Sequence, residues 1–381
     1  MKIPFNKPFL TGKEIMYINE AVSSGKISGN GKFTQKCHLF FQEKFGFKKC
    51  LLTTSCTDAL EMAAILVDIQ PGDEVIVPSF TFVSTANAFV LRGARIIFAD
   101  SSSSEPNMDV GKLKSLITPK TKAIVVVHYA GVASDMDPIM DLAQENDLYV
   151  VEDAAQAIDS YYKGKPLGSI GHFGVFSFHE TKNIISGEGG LLVINDERFV
   201  DRAEIIWEKG TNRSAFFRGE VDKYSWVDVG SSFLPSEIIA AFLFAQLENL
   251  EQIQNTRRKI WNNYYDSFLS LDSNFGIGLP IVPEYATNNS HMFYLVCSSI
   301  EERNNLIKVL KKNQILSVFH YLPLHLSAFY KSKHDGRHLP NSTRFSERIV
   351  RLPLYYGLTQ QNQSEVVRTV FEFYNKINDT K

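Results

Sequence analysis

Between residues 50 and 200 the chain repeats one pattern, a short and continuously apolar run followed by a stretch with helical periodicity. The runs are Leu51-Leu52-Thr53-Thr54, Glu74-Val75-Ile76-Val77, Arg95-Ile96-Ile97-Phe98-Ala99-Asp100, Ala123-Ile124-Val125-Val126-Val127-His128 and Leu148-Tyr149-Val150-Val151-Glu152-Asp153. Strands without polar alternation are buried on both faces, so helices must cover a mainly parallel sheet from each side. Residues 57–67 and 82–91 read as such helices, and residues 173–178 and 191–195 read as two further strands. The fold class is α/β.

At about 100–200 residues per domain, 381 residues predict two domains. The pattern changes after Pro235, where residues 236–271 read as a long helical region broken near Gln252. A join rich in glycine and proline follows, from Gly276 to Pro283. Beyond it, strands at 292–296 and 316–319 alternate with helices at 301–312, 344–351 and 361–375. We therefore divide the chain into a large unit, residues 1–250, and a smaller C-terminal α/β unit, residues 251–381.

Lysine plus arginine number 40 against 42 acidic residues, a net charge of -2, which excludes the basic footprint of a nucleic-acid binder. The longest apolar run, residues 238–245, is far short of the roughly 20 residues a membrane span needs. The opening residues, Met1 to Asn6, show no apolar stretch of signal-peptide length, so a cytoplasmic location is expected. Cys37, Cys50, Cys56 and Cys297 form no C-x-x-C pair and read as separate reduced thiols. The histidines show no H-E-x-x-H spacing, and no metal is expected.

In open α/β sheets ligands bind beyond the carboxyl ends of the strands. Those positions hold Thr54-Ser55-Cys56-Thr57, Ser79-Phe80-Thr81-Phe82, His128-Tyr129, Asp153 to Gln156 and Ser177-Phe178-His179-Glu180-Thr181-Lys182. Ser55 to Thr57 opens a helix, and the free N–H groups there favour a phosphate, although serine and threonine are also ordinary caps. Asp153 closes an apolar strand, where a carboxylate needs a cation or donors, and where it could equally cap the next segment. Lys182 lies before Gly187-Glu188-Gly189-Gly190; a lysine is commonly a solvated charge, but a desolvated one is a competent amine nucleophile. The glycines there lack the G-x-G-x-x-G spacing of a dinucleotide loop. Pyridoxal phosphate needs an amine, an acid against its ring nitrogen, a flat group over its ring and a phosphate cup. Lys182, Asp153, Phe82 and the Ser55–Thr57 helix start supply these four, with Ser177 as a further phosphate contact.

Longer blocks then carry a resemblance. Residues 71–79, 151–156 and 171–179, Lys182-Asn183 with Gly187 to Gly190, and residues 319–325 and 347–354 resemble the DegT/DnrJ/EryC1/StrS sugar aminotransferases, which are fold type I pyridoxal phosphate enzymes. Residues 179–183, 128–133, 209–214 and 217–219 are most similar to one branch, which makes dTDP-4-amino-4,6-dideoxygalactose for enterobacterial common antigen. The resemblance implies that Lys182 carries the cofactor and Asp153 pairs with its ring nitrogen. It further implies that Gln156 meets the ring hydroxyl, Phe82 stacks on the ring, and Cys56, Thr57 and Ser177 hold the phosphate, with Ser55 and His179 in the same site. Two departures stand out. Ser55-Cys56-Thr57 replaces a common Asn-Gly-Thr, and Gly230 to Leu234 replaces Gly-x-Asn-x-Arg, so the shorter Ser232 stands at the asparagine that reaches the partner's phosphate.

The resemblance also implies a homodimer with composite sites, to which residues 209–232 contribute across the boundary. Arg213, Arg218 and His320 are the candidates for binding the nucleotide sugar, although exposed arginines and a packed histidine would look the same. The expected reaction moves the amino group of L-glutamate to dTDP-4-dehydro-6-deoxy-D-glucose, giving dTDP-4-amino-4,6-dideoxy-D-galactose. Rival readings are attack on a 3-keto or UDP-linked deoxy sugar, or a non-catalytic regulatory relative. The presence of both Lys182 and Asp153 speaks against the last.

Overall fold

The computed structural model describes residues 2–378. Seven strands form one sheet: β1 (Lys49–Thr53), β2 (Glu74–Pro78), β3 (Arg95–Ala99), β4 (Thr121–Val127), β5 (Tyr149–Asp153), β8 (Phe173–Ser177) and β9 (Gly190–Ile194). Between β5 and β8 lies a two-stranded ribbon of β6 (Tyr161–Tyr162) and β7 (Lys165–Pro166). The sheet order is β1-β9-β8-β5-β4-β2-β3, and β9 alone among the seven runs against its neighbours. All seven runs expected from the sequence are strands.

The two-sided burial inferred from the sequence is visible residue by residue. Ile124 and Val126 of β4 join one core while Ala123 and Val125 join the other, and β9 splits Leu191 and Val193 from Leu192 and Ile194 in the same way. Successive strand side chains point to opposite faces, so an all-apolar strand feeds two cores at once. The first core is closed by helices Lys32–Phe45 and Glu237–Leu247, the second by Cys56–Leu66. Each fully buried leucine, valine or isoleucine contributes about 1.5–3 kcal/mol. Helix Lys32–Phe45 begins without a side-chain cap of its own. Glu237, reaching in from the other helix, instead accepts from the N–H groups of Gly31, Phe33 and Thr34 at 2.7–3.1 Å.

The long helical region after Pro235 is two helices, Glu237–Leu247 and Leu250–Phe275, and the break falls at Glu248-Asn249, slightly before Gln252. The C-terminal part then builds a hairpin of β10 (Phe293–Val296) and β11 (Ile349–Leu352) against helices Leu250–Phe275, Ile300–Lys312 and Gln360–Asn378. Two expectations fail here. Residues 316–319 form no strand; that extended stretch meets Ile3 on one side and Arg351 on the other through isolated pairings. The helix expected at 344–351 spans Pro340–Arg348, because the β-branched Ile349 and Val350 leave it to pair with β10. Ile3 is fully buried in this C-terminal core, packed with Ile260, Phe293 and Ile315. No helix among the described residues is long and apolar enough to cross a membrane.

Candidate active site

Parallel strands place their carboxyl ends on one rim, and because β9 is reversed its first residue lies on that rim too. Gly190 pairs with Thr53 at the end of β1 and with Ser177 at the end of β8. A Cβ on Gly190 would stand 2.4 Å from the Ser55 carbonyl carbon and 2.5 Å from Cys56 N. Only glycine lets the Thr54–Cys56 turn lie this close. Ser55 caps the helix that follows, its Oγ accepting from Asp58 N–H at 3.1 Å. Thr57 Oγ1 donates to Ser84 Oγ at 2.8 Å.

Above this rim opens a cavity of about 440 Å³. Ser55, Cys56, Thr57, Phe82, Asp153, Gln156, Ser177, His179, Lys182 and His320 all line it, so the structure brings together ten of the residues singled out in the sequence. Asp153, the last residue of β5, is buried; its Oδ2 accepts from Thr85 Oγ1 at 2.7 Å and its Oδ1 from Ala155 N–H at 3.2 Å. Burial raises its pKa, while these donors and the nearby Lys182 oppose the rise. Lys182 shows the mirror effect: burial lowers its amine, against the pull of Cys56 and Asp153. Burial disfavours the charged form of any group, which for a lysine frees the lone pair a nucleophile needs. Cys56 is held far from thiolate by burial first and by the charge of Asp153 second, so it acts here as a neutral wall.

Gln156 is fixed at both ends, its Oε1 accepting from Ala130 N–H at 2.7 Å and its Nε2 donating to Tyr321 Oη at 3.0 Å. Phe82 is 54% exposed, a large fraction for a phenylalanine, and its ring lies 5.9 Å from that of Tyr321. An apolar face left open at a cavity mouth is a surface for a flat ligand ring. Asn183 ties the loop of Lys182 to the C-terminal part. Its Nδ2 donates to Gln254 Oε1 at 2.8 Å and to Asn289 O at 2.9 Å, and its Oδ1 is 2.9 Å from His291 Nδ1.

Three expected residues lie away from this cavity. Ser232 is exposed and pairs with Glu208, and Arg213 is exposed with its guanidinium 5.2 Å from the Phe217 ring. Arg218 is gripped by Glu204 at 2.8 Å and Glu220 at 2.7 Å, so its charge is already matched. Conversely Thr85, His291, Tyr321, Phe5 and Arg351 line the cavity without having been singled out in the sequence as site residues. Thr85 sits one helical turn after Thr81, a spacing that could have flagged a hydroxyl pair. The others arrive through long-range packing that leaves no local trace.

The residues present fit pyridoxal phosphate: a buried amine, an acid held by donors, an open aromatic face, and hydroxyls around a helix start that glycine lets approach. When bound, that cofactor supplies an aldehyde for an amine and a ring that delocalises the electron pair left when a proton departs. Asp153 would keep the ring nitrogen protonated, Ser55, Thr57 and Ser177 would hold the phosphate, and Lys182 would move the proton at the reacting carbon. A sheet of this order with this set of groups defines a fold type I pyridoxal phosphate enzyme.

The sequence model of the DegT/DnrJ/EryC1/StrS aminotransferase family matches residues 8–371. The chain belongs to that family. It is 33% identical over 380 residues to GDP-perosamine synthase of Escherichia coli O157:H7, covering 98% of this chain and 99% of that one. It is 32% identical over 384 residues to a spore coat polysaccharide biosynthesis protein of Bacillus subtilis, covering 97% and 96%. Its fold matches a Streptococcus pneumoniae protein, assigned as a sugar aminotransferase and solved in its PLP-form, with a TM-score of 0.90, 27% identity and coverage of 98% and 99%. The chain is thus a pyridoxal phosphate-dependent sugar aminotransferase. The relatives do not single out the dTDP-linked branch expected from the sequence.

Proposed function

We propose that the enzyme transfers the amino group of L-glutamate to C4 of dTDP-4-dehydro-6-deoxy-D-glucose, giving dTDP-4-amino-4,6-dideoxy-D-galactose for a surface polysaccharide. The observation that carries the transfer is the lysine, a buried amine with lowered pKa in one cavity with Asp153 and the hydroxyl-rich helix start. The choice of sugar rests on the branch-like blocks at 179–183 and 209–214. A GDP-linked 4-keto sugar is the second reading, favoured by the likeness to GDP-perosamine synthase. Either substrate places the work in the cytoplasm, where nucleotide sugars are made.

The enzyme acts in this reading as a homodimer with shared sites. Residues 209–232 expose Phe217, Tyr224, Trp226 and Val227 outside their own cavity, an apolar surface suited to covering a partner's. Arg213 and Ser232 would then serve the partner subunit, and Arg218 would join them by leaving Glu204 and Glu220. The deciding experiment incubates purified enzyme with L-glutamate and dTDP-, UDP- and GDP-linked keto sugars, followed by mass and NMR analysis of the products. An axial C4 amine on the dTDP sugar supports the first reading. Amination at C3, or turnover confined to another nucleotide, overturns it.

A further inference from the structure

Behind the loop that carries Lys182 runs a strap, residues 3–9, which crosses from the C-terminal part to the large unit. At one end Ile3 is fully buried in the C-terminal core. There Ile3 N–H donates to Gln314 O at 3.1 Å and Leu316 N–H donates to Ile3 O at 2.9 Å. At the other end Phe9 O accepts from Nε2 of the buried Gln246 at 2.8 Å, and the Phe9 ring stacks on Tyr356 with centroids 3.7 Å apart. Pro4 and Pro8 lie between these anchors. Each fixes its own φ and holds the residue before it extended, so the chain spans the gap without coiling. The strap also brings Phe5 to the wall of the main cavity.

Midway along the strap, the half-buried Asn6 donates from Nδ2 to Glu180 O at 3.0 Å. Among the described residues no other group donates to that carbonyl. Glu180 is thus held on two sides, because its own N–H donates to Gly187 O across the loop at 2.9 Å. Lys182 N–H donates to His179 O at 2.9 Å, so the turn 179–182 passes any shift of Glu180 on to the lysine. The strap packs closely here. Asn6, Phe9, Glu180 and Lys182 wall one void of about 10 Å³, and Lys182 also lines the main cavity, so the lysine is the partition between strap and cavity. An amine on a flexible side chain is only as well aimed as the backbone that carries it, and a reacting group misplaced by about 1 Å can lose up to about a hundredfold in rate.

We propose that Asn6 is a positioning residue for Lys182, setting through Glu180 O where the amine meets the cofactor aldehyde. In that step the Lys182 nitrogen adds to the aldehyde carbon, the amine gives up its two protons, and the aldehyde oxygen leaves with them as water. Asn6 touches neither reactant. Its influence runs through one hydrogen bond at the surface of the loop, so its loss should slow the step rather than abolish it. The inference rests on Lys182 as the residue that carries the cofactor, and it is independent of the sugar the enzyme aminates.

The test mixes apoprotein with two ligands. Pyridoxal phosphate bonds to Lys182 and develops visible absorbance, whereas pyridoxine 5′-phosphate, with an alcohol in place of the aldehyde, fills the same site and forms no bond. In Asn6→Ala the first-order growth of absorbance at saturating pyridoxal phosphate, followed by stopped flow, should slow about tenfold. The Kd for pyridoxine 5′-phosphate should stay within about twofold, and the urea midpoint should not move. Asn6→Asp keeps the shape but offers no donor at neutral pH and should be at least as slow, while Asn6→Gln keeps an amide donor on a longer arm and should recover most of the rate. An unchanged rate in Asn6→Ala and Asn6→Asp, equal slowing in Asn6→Gln, or a pyridoxine 5′-phosphate Kd that weakens in step with the rate overturns the proposal. Wild-type protein without the visible band would remove the assignment of Lys182 as well, whereas a wrong choice of sugar leaves this measurement untouched.

Discussion

Thr85 Oγ1 donates to Asp153 Oδ2 at 2.7 Å and itself lies 2.9 Å from Thr81 Oγ1, so the acid at the end of β5 is held by a hydroxyl chain rooted in the helix beside it. The arrangement supports an ionised carboxylate in a place where burial disfavours one. Asp153→Asn should still bind pyridoxal phosphate but lose about 10²–10³ in kcat, because an amide cannot stabilise a protonated ring nitrogen. Thr85→Val, which removes one donor to the charged group, should cost about tenfold. Steady-state kinetics with comparable kcat for Asp153→Asn and wild type would remove Asp153 from this role.

Lys182→Ala should abolish turnover and the visible absorbance of the lysine-bound cofactor, since among the described residues no second lysine lines the cavity. Lys182→Arg should fail in the same way, because guanidinium stays protonated and offers no nucleophilic lone pair. Absorbance spectra and single-turnover assays check both variants, and a Lys182→Ala protein with near-normal activity would show that the amine lies elsewhere.

Gly190→Ala should weaken cofactor binding more than it weakens the fold. The added methyl group would stand 2.4 Å from the Ser55 carbonyl carbon, so the turn at the helix start must move outward. Overpacking of this kind costs about 1–3 kcal/mol of stability. A titration of apoprotein with pyridoxal phosphate, paired with urea unfolding, separates the two effects. Wild-type affinity in the variant would mean that the turn does not hold the phosphate.

His38 predicts how stability follows pH. Its Nε2 accepts from Leu52 N–H at 3.0 Å, and burial, aided by the charge of Lys49, lowers its pKa to about 3. The unfolded chain takes up a proton near pH 6.5 that the folded imidazole refuses, so this group removes stability as pH falls from about 6.5 towards 3. Above that range it contributes no pH dependence. His38→Gln, which can still accept from Leu52, should flatten the fall in urea midpoint between pH 7.5 and 5; an unchanged slope would place the effect in other groups.

Arg213 and Arg218 separate the two outcomes for the 209–232 segment. If that segment serves a partner subunit, an Arg213→Ala chain and a Lys182→Ala chain should regain activity when mixed and re-associated, because some hybrid dimers keep one intact site. Arg218→Ala should show the weaker kinetic effect, since its guanidinium is already matched by Glu204 and Glu220. Absence of rescue for Arg213 would confine the site to one subunit.

The sheet and most of the cofactor site were legible because both are written locally. Runs such as Ala123 to Val127 state their two-sided burial in their own composition, and most of the site residues either close such a run, as Asp153 and Ser177 do, or lie up to five positions beyond one, from Ser55 after β1 to Lys182 after β8. Arg351 was hidden for a physical reason. Its own neighbours in sequence read as the end of a helix, and only pairing with β10, more than 50 positions earlier in the chain, makes the segment a strand and brings Arg351 to the cavity. Tyr321 and Phe5 are likewise delivered by segments that lack regular structure at those positions. Arg213 and Arg218, a suggestive cluster of charge, lie outside the cavity and meet their own sequence neighbours, Phe217 and Glu220.

The reversal of β9 has a mechanical consequence for the reacting amine. Since β8 ends and β9 begins on the same rim, the loop carrying Lys182 has both feet clamped side by side, with Phe178 N–H donating to Gly189 O at 2.8 Å and Glu180 N–H to Gly187 O at 2.9 Å. Asn183 pins its crown from the far side. The backbone is a braced arch, so the amine travels only as far as its own four-carbon tether swings. The reach of Lys182 is therefore set by rotation about its own side-chain bonds and not by displacement of the loop.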